Sequence, residues 1–357
     1  MANKQKINID WEDLKEAPVQ DNPRVFPGLS KEGQQNFSLD VSGGKSKKNP
    51  IYALSEGIAL PRAIAGFIGA AVSWIFTESL MNQDSGATSY LAVIMSSMSW
   101  FAVIGAFVAG ALRSSEDIYV GRTEAAIRSF FFGALIGTIT GAISGLIAQL
   151  LYSLLGGGMR GGDLQQILAR TLGFGIAGTL LGLGISIPSG IRKKIKAATL
   201  GGLVGGLAGG FCFDTLGKLL AAAMGGTGGI SRMLGLVLTG FSIGYGMGIT
   251  ENVLRDAWVQ VVAGPFKGKQ FILFKKDSWI GRNPYCDIVL VKDTYVADQH
   301  CVIRETPNGY RLEVNRSIGA QVLINGISVT EKFLQPGDNV QVGHTQFVFQ
   351  ASTGKKG

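Results

Sequence analysis

The sequence predicts a multi-domain protein in which an α-helical polytopic membrane domain of about six spans is followed by an all-β sandwich. Most of the 52 glycines lie between Gly57 and Gly248, where charged residues almost disappear from long stretches. Each such stretch has about twenty residues, the length that a helix needs to cross the hydrocarbon core. After Asp256 the chain changes to short alternating runs between Gly, Pro and Asn turns, which is typical of a sandwich.

Six apolar segments are predicted to span the membrane. Basic residues lie in the loops that follow the second and fourth segments, at Arg113, Arg122 and the cluster from Arg192 to Lys196. Because basic loops stay in the cytoplasm, both termini are expected there, in a multi-pass protein of a plasma or inner membrane. The predicted spans are Leu60–Leu80, Ser89–Leu112, Ile127–Leu155, Ile167–Pro188, Lys196–Ala223 and Ser231–Thr250.

These patterns divide the chain into three predicted parts. Residues 1–58 are polar and charged with no apolar core, so we expect a flexible cytoplasmic tail. Residues 59–251 form the glycine-rich transmembrane domain, and residues 252–357 form the sandwich domain with a short basic tail.

The membrane region contains an internal repeat. The spacing of Arg128, Gly133, Gly137 and Gly141 recurs at Lys196, Gly201, Gly205 and Gly209, and a weaker copy begins at Arg62. This predicts three tandem glycine-rich hairpins with the same orientation. Glycines four apart share one helix face and let backbones approach closely. Packing within one subunit, homo-oligomer contacts through these glycine faces and a conducting path are all open explanations.

Charged residues within a span are costly and often mark a pathway. Asp214 and Lys218 lie one helical turn apart in the fifth span, where they either neutralise one another or form an intramembrane charge site. Glu78 lies near the end of the first span, where it can reach the headgroups.

The sandwich region carries a long series of spaced motifs. It runs from Trp279-Ile280-Gly281-Arg282 through Cys286-Asp287-Ile288-Val289-Leu290, Asp293, Val296, His300 and Ile303 to Asn325-Gly326 and Pro336-Gly337-Asp338. This pattern resembles the forkhead-associated (FHA) domain family and covers roughly Val259 to Gln350. The resemblance implies a domain that binds phosphothreonine peptides through loops at one end.

Individual roles follow from the same resemblance. Arg282 occupies the family's Gly-Arg position, where it either contacts phosphate or fixes the loop, and Asn283 follows it. His300 matches the histidine that braces the binding loops. Gly281, Asn325 and Gly326 match structural positions of the family.

The sequence departs from the family at the positions that recognise phosphate. Ala297 replaces the usual Ser, and Asp298 replaces a residue that is commonly basic. Ile318 before Gly319 replaces the Asn that holds the peptide. A carboxylate repels a neighbouring phosphate of charge about −2. We therefore expect the phosphothreonine pocket to be degraded, that is, to have lost its phosphate-binding groups.

Several function classes are disfavoured. The net charge is +8, but the basic residues do not form a stripe interleaved with aromatic residues. Nucleic-acid binding is therefore not expected. The three cysteines and two histidines do not have the spacing of metal ligands, and no nucleophile is paired with a base in the sequence. We therefore expect a protein that is not an enzyme and that binds no metal and no cofactor.

The sequence thus predicts a membrane protein whose cytoplasmic FHA domain serves as a phospho-independent docking adaptor or assembly subunit. Its expected partners are a cytoplasmic protein or subunits of a membrane complex, with the lipid bilayer around the helices. An FHA-regulated channel or transporter and a phosphothreonine-dependent signalling receptor are the alternatives.

Overall fold

The structure, a computed structural model, describes residues 57–81, 89–155, 163–223 and 228–352. Residues 1–56 of the predicted tail lie outside them, as do the predicted turns at 156–158 and 225–226. Within the described residues, six long helices precede a two-sheet sandwich of short strands. The predicted combination of a helical membrane domain and an all-β domain is confirmed.

Each of the six helices is long and apolar enough to cross a membrane. Ser89 caps the second helix, since its side chain accepts a hydrogen bond from the Ala92 N–H at 3.2 Å. The helices are α1 Ala59–Met81, α2 Tyr90–Val120, α3 Thr123–Leu154, α4 Asp163–Ser186, α5 Arg192–Ala223 and α6 Gly228–Val253, with a 3₁₀ turn Ile187–Ser189 after α4.

The helices continue past the predicted spans at their charged ends. Helix α2 runs through Arg113 and stops at Gly121, whose φ of 86° gives the left-handed conformation that closes the helix. Helix α5 already begins at Arg192, so the basic cluster lies in its first turns and not in a loop. Arg, Lys and Glu are good helix formers, so the end of an apolar run does not end a helix.

The helices pack in chain order, and α6 packs against α1, which closes them into a ring. The centre of the ring is apolar and is lined by residues such as Ala70, Val108, Leu181 and Ile243. The free volume there is only about 20 Å³, room for about one water molecule. The middle of the ring is therefore closed.

Glycines form the closest helix contacts inside the ring. A Cβ atom placed on Gly66 would lie 2.1 Å from the Gly240 carbonyl oxygen, and one placed on Gly178 would lie 2.1 Å from that of Gly202. Contacts this short leave no room for any side chain, so the helix backbones touch directly. These glycine faces are covered by helices of the same chain. A homo-oligomer formed through glycine faces stays a prediction.

The C-terminal domain is a sandwich of two sheets. Sheet A has the order β2-β1-β11-β10-β7-β8 and sheet B the order β4-β3-β5-β6-β9. The strands are β1 Ala257–Ala263, β2 Gln270–Ile272, β3 Asp277–Gly281, β4 Ile288–Val289, β5 Cys301–Thr306, β6 Gly309–Val314, β7 Val322–Ile324, β8 Ile327–Val329, β9 Glu331–Leu334, β10 Asn339–Val342 and β11 Thr345–Ala351.

Large apolar side chains fill the space between the sheets. Phe347 and Phe349 of β11 meet Ile303 and Leu312 of the opposite sheet, and all four are almost fully buried. Burial alternates along β11 with a period of two, as expected for a strand with one face on a core. Alternation in the sequence predicts strands at Val259–Ala263, Lys269–Leu273, Asp287–Leu290, His300–Glu305, Tyr310–Val314, Gln321–Ile324, Asn339–Val342 and Thr345–Gln350. Each of them overlaps a strand of the structure, whereas β3, β8 and β9 lie outside the predicted runs.

The end of α2 reaches the sandwich. Val120 packs against the sandwich core, and the Tyr119 hydroxyl accepts a hydrogen bond from the Gln270 N–H at 3.1 Å. At the start of α5, the Lys193 ammonium lies 2.7 Å from a carboxylate oxygen of Asp256. The sandwich is therefore held against the ends of two membrane helices.

Candidate functional site

The sequence places the peptide-binding residues in three loops of the sandwich, between β3 and β4, β4 and β5, and β6 and β7. The first two loops meet at Gly281, the last residue of β3. A Cβ atom on Gly281 would lie 2.0 Å from the Asp298 carbonyl oxygen, so only glycine fits there. The absence of a side chain lets the two loops join.

Backbone hydrogen bonds hold this junction. The Arg282 N–H donates to the Ala297 carbonyl at 3.0 Å, and the Asn283 N–H donates to the Asp298 carbonyl at 3.1 Å. The Cys286 thiol also donates to the Asp298 carbonyl, at 3.2 Å. The structure thus brings four of the predicted loop residues together through their backbones.

His300 is buried beneath the loops and connects two of them. Its Nδ1 accepts a hydrogen bond from the Ala297 N–H at 3.1 Å, which leaves Nε2 to donate to the Gln321 carbonyl at 2.9 Å. Both ring nitrogens face backbone groups of the loops. This geometry fits the bracing role that the family resemblance implies.

The third loop is shaped by Asn315 and Gly319. The Asn315 side chain accepts from the Ser317 N–H at 3.2 Å and donates to the Gln299 carbonyl at 2.9 Å. Gly319 follows a short 3₁₀ turn with φ of 63°. Ile318 lies in that turn, and its side chain is outside the described part of the structure.

Asn325 and Gly326 form a tight turn between β7 and β8. Their φ angles are 55° and 80°, the left-handed values that a two-residue hairpin requires. The Asn325 side chain donates to Asp338 at 2.7 Å and accepts from the Asn339 N–H at 2.9 Å. The pair stabilises the turn and belongs to the scaffold.

The positions that recognise phosphate in the FHA family hold both a cation and a carboxylate in this chain. The Arg282 guanidinium is exposed and can donate to an anion, but the Asp298 carboxylate is exposed on the adjoining loop. Ala297 supplies no hydroxyl donor. Exposed Lys292 and Arg316 lie on the second and third loops, and Arg316 Nη2 donates to the Thr330 hydroxyl at 3.2 Å. The Asp298 carboxylate opposes a dianion beside Arg282.

Sequence reasoning missed two aromatic residues on these loops. Tyr285 is 94% exposed, and Tyr295 is 70% exposed. The Tyr295 ring meets the His344 ring edge-on at 4.2 Å. An aromatic residue in a loop between two strand runs is the signal that could have identified both.

The membrane helices contact this end of the sandwich. Arg122, just after α2, donates from Nη1 to the Pro284 carbonyl at 2.9 Å. A Cβ atom on Gly121 would lie 3.9 Å from the Lys292 side chain. Sequence reasoning treated Arg122 only as a topology determinant. The structure places it between α2 and the β3–β4 loop.

The environment of the two sandwich cysteines disfavours their thiolate form. Burial raises the pKa of the Cys301 thiol well above its usual range, and the neighbouring Cys286 adds to the shift. Burial also raises the pKa of the Cys286 thiol, as do Asp287 and Asp298. Both thiols stay protonated at neutral pH.

A second polar cluster, which we call the helix-end cluster, consists of Arg62, Glu116, Lys194 and Glu251. Arg62 Nη1 lies 2.6 Å from a Glu251 oxygen, Arg62 Nη2 contacts Glu116, and Lys194 Nζ lies 2.7 Å from Glu116. The Arg62 and Glu251 side chains are only 6% and 3% exposed. The cluster joins α1, α2, α5 and α6, and sequence reasoning did not find it.

Two cavities adjoin the helix-end cluster. One of about 230 Å³ is lined by all four of its residues together with Arg113 and Asp117. A larger one of about 440 Å³ extends to the sandwich, where Gln270 and Cys286 line it. The cluster therefore lies at the base of a polar space between the helices and the sandwich.

The predicted intramembrane charge site at Asp214 and Lys218 lies in α5, but both side chains are outside the described part of the structure. Glu78 differs from its expected role of reaching the headgroups. It pairs with Arg232 of α6, with 2.5 Å between Arg232 Nη2 and Glu78 Oε1. Helices α1 and α6 are thus joined by an ion pair near each end.

Comparison with known families identifies the sandwich. Residues 260–353 match the family model Yop-YscD_cpl, described as "Inner membrane component of T3SS, cytoplasmic domain". No curated protein matches the chain. The family match lies within the sandwich and leaves the six helices outside it.

Solved structures similar to the chain are FHA domains. The FHA domain of the CT664 protein from Chlamydia trachomatis is 25% identical and covers 27% of this chain and 96% of its own, with a TM-score of 0.24. The FHA-2 domain of the Mycobacterium tuberculosis ABC transporter Rv1747 is 32% identical and covers 23% and 73%, with a TM-score of 0.21. The FhaA FHA domain, solved in complex with the intracellular domain of Rv3910, is 24% identical and covers 26% and 99%, with a TM-score of 0.24. The C-terminal domain is of FHA type, and the chain is a membrane protein that carries it.

Proposed function

We propose that this chain is a non-enzymatic subunit of an inner-membrane assembly whose cytoplasmic FHA-type domain docks a partner protein without phosphothreonine. Both termini lie in the cytoplasm. The partner is a cytoplasmic protein or another subunit of the same complex. The match to a cytoplasmic domain of a T3SS inner membrane component supports a place in a membrane complex.

One observation carries the phospho-independent part of the proposal. The scaffold of the loop end is intact, with Gly281 and His300 joining the loops, whereas two of the positions that would meet a phosphate beside Arg282 hold Ala297 and an exposed Asp298. Phosphate recognition needs several donors that converge on a dianion. A carboxylate on the adjoining loop opposes it.

The test measures binding of a phosphothreonine peptide library to the full chain in detergent by fluorescence anisotropy. We expect the wild-type chain to bind phosphorylated and unphosphorylated peptides equally weakly. The double variant Ala297→Ser with Asp298→Arg restores a hydroxyl donor and a cation. We expect it to gain phosphate-dependent binding of at least about tenfold, a differential of about 1.4 kcal/mol.

Arg282→Ala in the double-variant background is the control, and we expect it to remove the gained binding. Phosphate-dependent binding by the wild-type chain that disappears in Arg282→Ala would contradict the proposal. That result would favour the alternative of a phosphothreonine-dependent receptor.

The helix-end cluster favours a second candidate, a channel or transporter regulated by the FHA-type domain. Ionisable groups buried among membrane helices mark ion or proton paths in many transporters, and here they adjoin polar cavities. Flux into proteoliposomes is the measurement. This candidate predicts solute or proton flux that changes in Glu251→Gln, and a flux that stays at the level of empty liposomes rejects it. Asp214→Asn tests in the same assay whether the predicted charge site takes part.

A further inference from the structure

Strand β2 forms one edge of sheet A and turns part of its backbone to the open side. In the sheet order β2 comes first, so β1 is its one strand neighbour among the described residues. The Leu273 N–H donates to the Ala257 carbonyl of β1 at 2.9 Å, and the Lys269 carbonyl accepts a hydrogen bond from β1 at 2.8 Å. Alternate residues of an antiparallel strand turn their backbone groups to opposite sides. The N–H and C=O of Gln270 and Ile272 therefore point away from β1.

The open edge of β2 borders the large cavity between the helices and the sandwich. Its first residue is covered, because the Gln270 N–H donates to the Tyr119 hydroxyl at 3.1 Å. Further along, the half-buried side chains of Ile272 and Phe274 line the cavity of about 440 Å³. Backbone groups on a strand edge are a template for pairing with another strand. The edge at Ile272 therefore has both the hydrogen-bonding groups and the room for one.

The N-terminal tail enters the described part of the chain at this cavity. Gly57 is the first described residue and is itself part of the cavity wall. A Cβ atom on Gly57 would lie 2.9 Å from the Gln270 side-chain oxygen, so the chain passes directly beside β2. The φ of 76° at Gly57 is the left-handed conformation, which turns the chain into α1 at Ala59. The residues before Gly57 therefore start next to the open edge.

The residues immediately before Gly57 have the composition of a strand. Residues 51–54 are Ile, Tyr, Ala and Leu, and Pro50 precedes them. Ile and Tyr favour strands, and Pro is found at the first position of a strand. A short continuous apolar run is typical of a strand that is covered on both faces, and the sandwich and the helix ends enclose the cavity from two sides. Six extended residues cover about 20 Å, which is enough to follow the edge of about 13 Å from Gln270 to Phe274.

We propose that residues 51–56 form a strand along the open edge of β2, antiparallel to it, so that the N-terminal tail extends sheet A of its own chain. In this arrangement the Leu54 N–H donates to the Ile272 carbonyl, and the Ile272 N–H donates to the Leu54 carbonyl. Apolar side chains then lie next to apolar side chains across the two strands. The register that continues from Gly57 gives three side-by-side pairs: Glu56 with Gln270, Leu54 with Ile272 and Tyr52 with Phe274.

The connectivity of the chain favours its own tail as the occupant of this edge. Leu54 is three residues from Gly57, and Gly57 already lies against β2. The segment is therefore present at the edge at a high effective concentration. A separate protein has to enter between the helix ends and the sandwich to reach the same groups.

The added strand connects the sandwich to a second membrane helix. Only residues 254–256 join α6 to β1. A strand at residues 51–56 joins sheet A to α1 through a similarly short connection. Since α6 packs against α1, both connections enter the helical ring at its closing pair of helices. The flexible tail predicted from the sequence then ends at residue 50.

The first experiment measures hydrogen exchange of the Ile272 amide by mass spectrometry on the full chain in detergent. Leu54→Pro removes the N–H that donates to the Ile272 carbonyl and disrupts the added strand. We expect the Ile272 amide to exchange at least about tenfold faster in Leu54→Pro than in the wild-type chain. The matched control is Leu39→Pro, the same substitution in the tail outside residues 51–56, and we expect it to leave the exchange unchanged. Equal exchange of the Ile272 amide in the wild-type chain and in Leu54→Pro overturns the proposal.

The second experiment identifies the occupant by disulfide cross-linking of Leu54→Cys with Ile272→Cys in the full chain. The background carries Cys212→Ala and Cys286→Ser, because Cys286 lines the same cavity. We expect a disulfide within one chain, since neighbouring positions of paired strands are within disulfide range. The control pairs Leu54→Cys with Ile327→Cys of β8, the opposite edge of sheet A, where Ile327 is 68% exposed. Six strands separate the two edges by about 24 Å, so we expect no disulfide in the control.

Two results of the cross-linking experiment contradict the proposal. Absence of the disulfide between positions 54 and 272 shows that the tail does not lie on β2. A disulfide between two chains shows that the tail of a second copy occupies the edge. The peptide-binding test of the proposed function depends on the loop end and not on β2, so its result and these results are independent of each other.

Discussion

The helical ring and the sandwich achieve close packing in opposite ways. In the ring, helices meet where side chains are missing, and the backbone of Gly202 touches that of Gly178. In the sandwich, the space between the sheets is filled by large side chains such as Phe347 and Phe349. Where its backbones touch, the ring therefore tolerates no added atoms, whereas the core of the sandwich tolerates no lost ones.

The largest effect is expected from adding atoms to the ring. Gly202→Val places a Cβ atom 2.1 Å from the Gly178 carbonyl oxygen, and a backbone oxygen on a packed helix cannot move aside. We expect a loss of more than about 3 kcal/mol of stability, seen as early aggregation in a thermal scan with size-exclusion detection. Gly173→Ala is the control, because its nearest neighbour is the Ala148 Cβ atom at 3.1 Å. Equal stability of the two variants would show that the helices are not in direct backbone contact.

Removing atoms from the sandwich core tests whether its large side chains are needed to fill the space between the sheets. Phe347→Ala empties a position that is 1% exposed, and we expect it to cost about 3–5 kcal/mol. Phe333→Ala removes a ring that is 48% exposed, and we expect less than about 1 kcal/mol. Chemical denaturation followed by near-ultraviolet circular dichroism measures both. A small effect of Phe347→Ala would mean that the sandwich core collapses around the lost ring.

The same comparison extends to ion pairs. Arg62→Met leaves Glu116 and Glu251 without a shared cation at a site that is almost fully buried, and we expect a loss of about 3–5 kcal/mol. Arg311→Met, on the outer face of sheet B, removes contacts that water can replace, and we expect about 0–1 kcal/mol. Thermal unfolding of both variants at low and high salt is the measurement. A salt-dependent loss in Arg62→Met would show that water reaches the helix-end cluster freely.

The smallest predicted effect is a change in the stability of the protein with pH. Burial raises the pKa of the folded Cys301 thiol above the value of about 8.5 that it has when unfolded. A raised folded pKa stabilises the protein below about pH 8.5, and this contribution falls as the pH rises further. At pH 9.5 we expect a loss of about 1.4 kcal/mol relative to pH 7.5, which Cys301→Ala removes. A pH profile of unfolding that is identical in wild type and variant would contradict the assignment.

The sequence predicts both parts of the fold because each has a strong repeating signal. Long apolar stretches mark the helices, and the motif from Trp279 to His300 identifies the sandwich through a resemblance that the family match bears out. Strand β3 was not predicted as a strand, because it lies within this motif and its Asp277 and Gly281 are poor strand formers. The short edge strands β8 and β9 carry too few residues for a period-two signal.

The helix-end cluster could not be predicted for a different reason. Its other three residues, Glu116, Lys194 and Glu251, lie 54 to 189 positions after Arg62 in the chain. Near the end of a span, a single charge looks like a topology signal or a headgroup contact. Only the packing order of the helices, with α6 returning to α1, brings these charges together.

The contact between Arg122 and the Pro284 carbonyl has a consequence for access to the loop end. Helix α2 ends at Val120, eight residues past Leu112, where the predicted second span ends, which is about 12 Å of helix at 1.5 Å per residue. The charged end of α2 therefore carries Arg122 beyond the predicted span to the β3–β4 loop. Since Arg122 occupies part of the surface of this loop, a partner that docks there meets the helix end together with the loop.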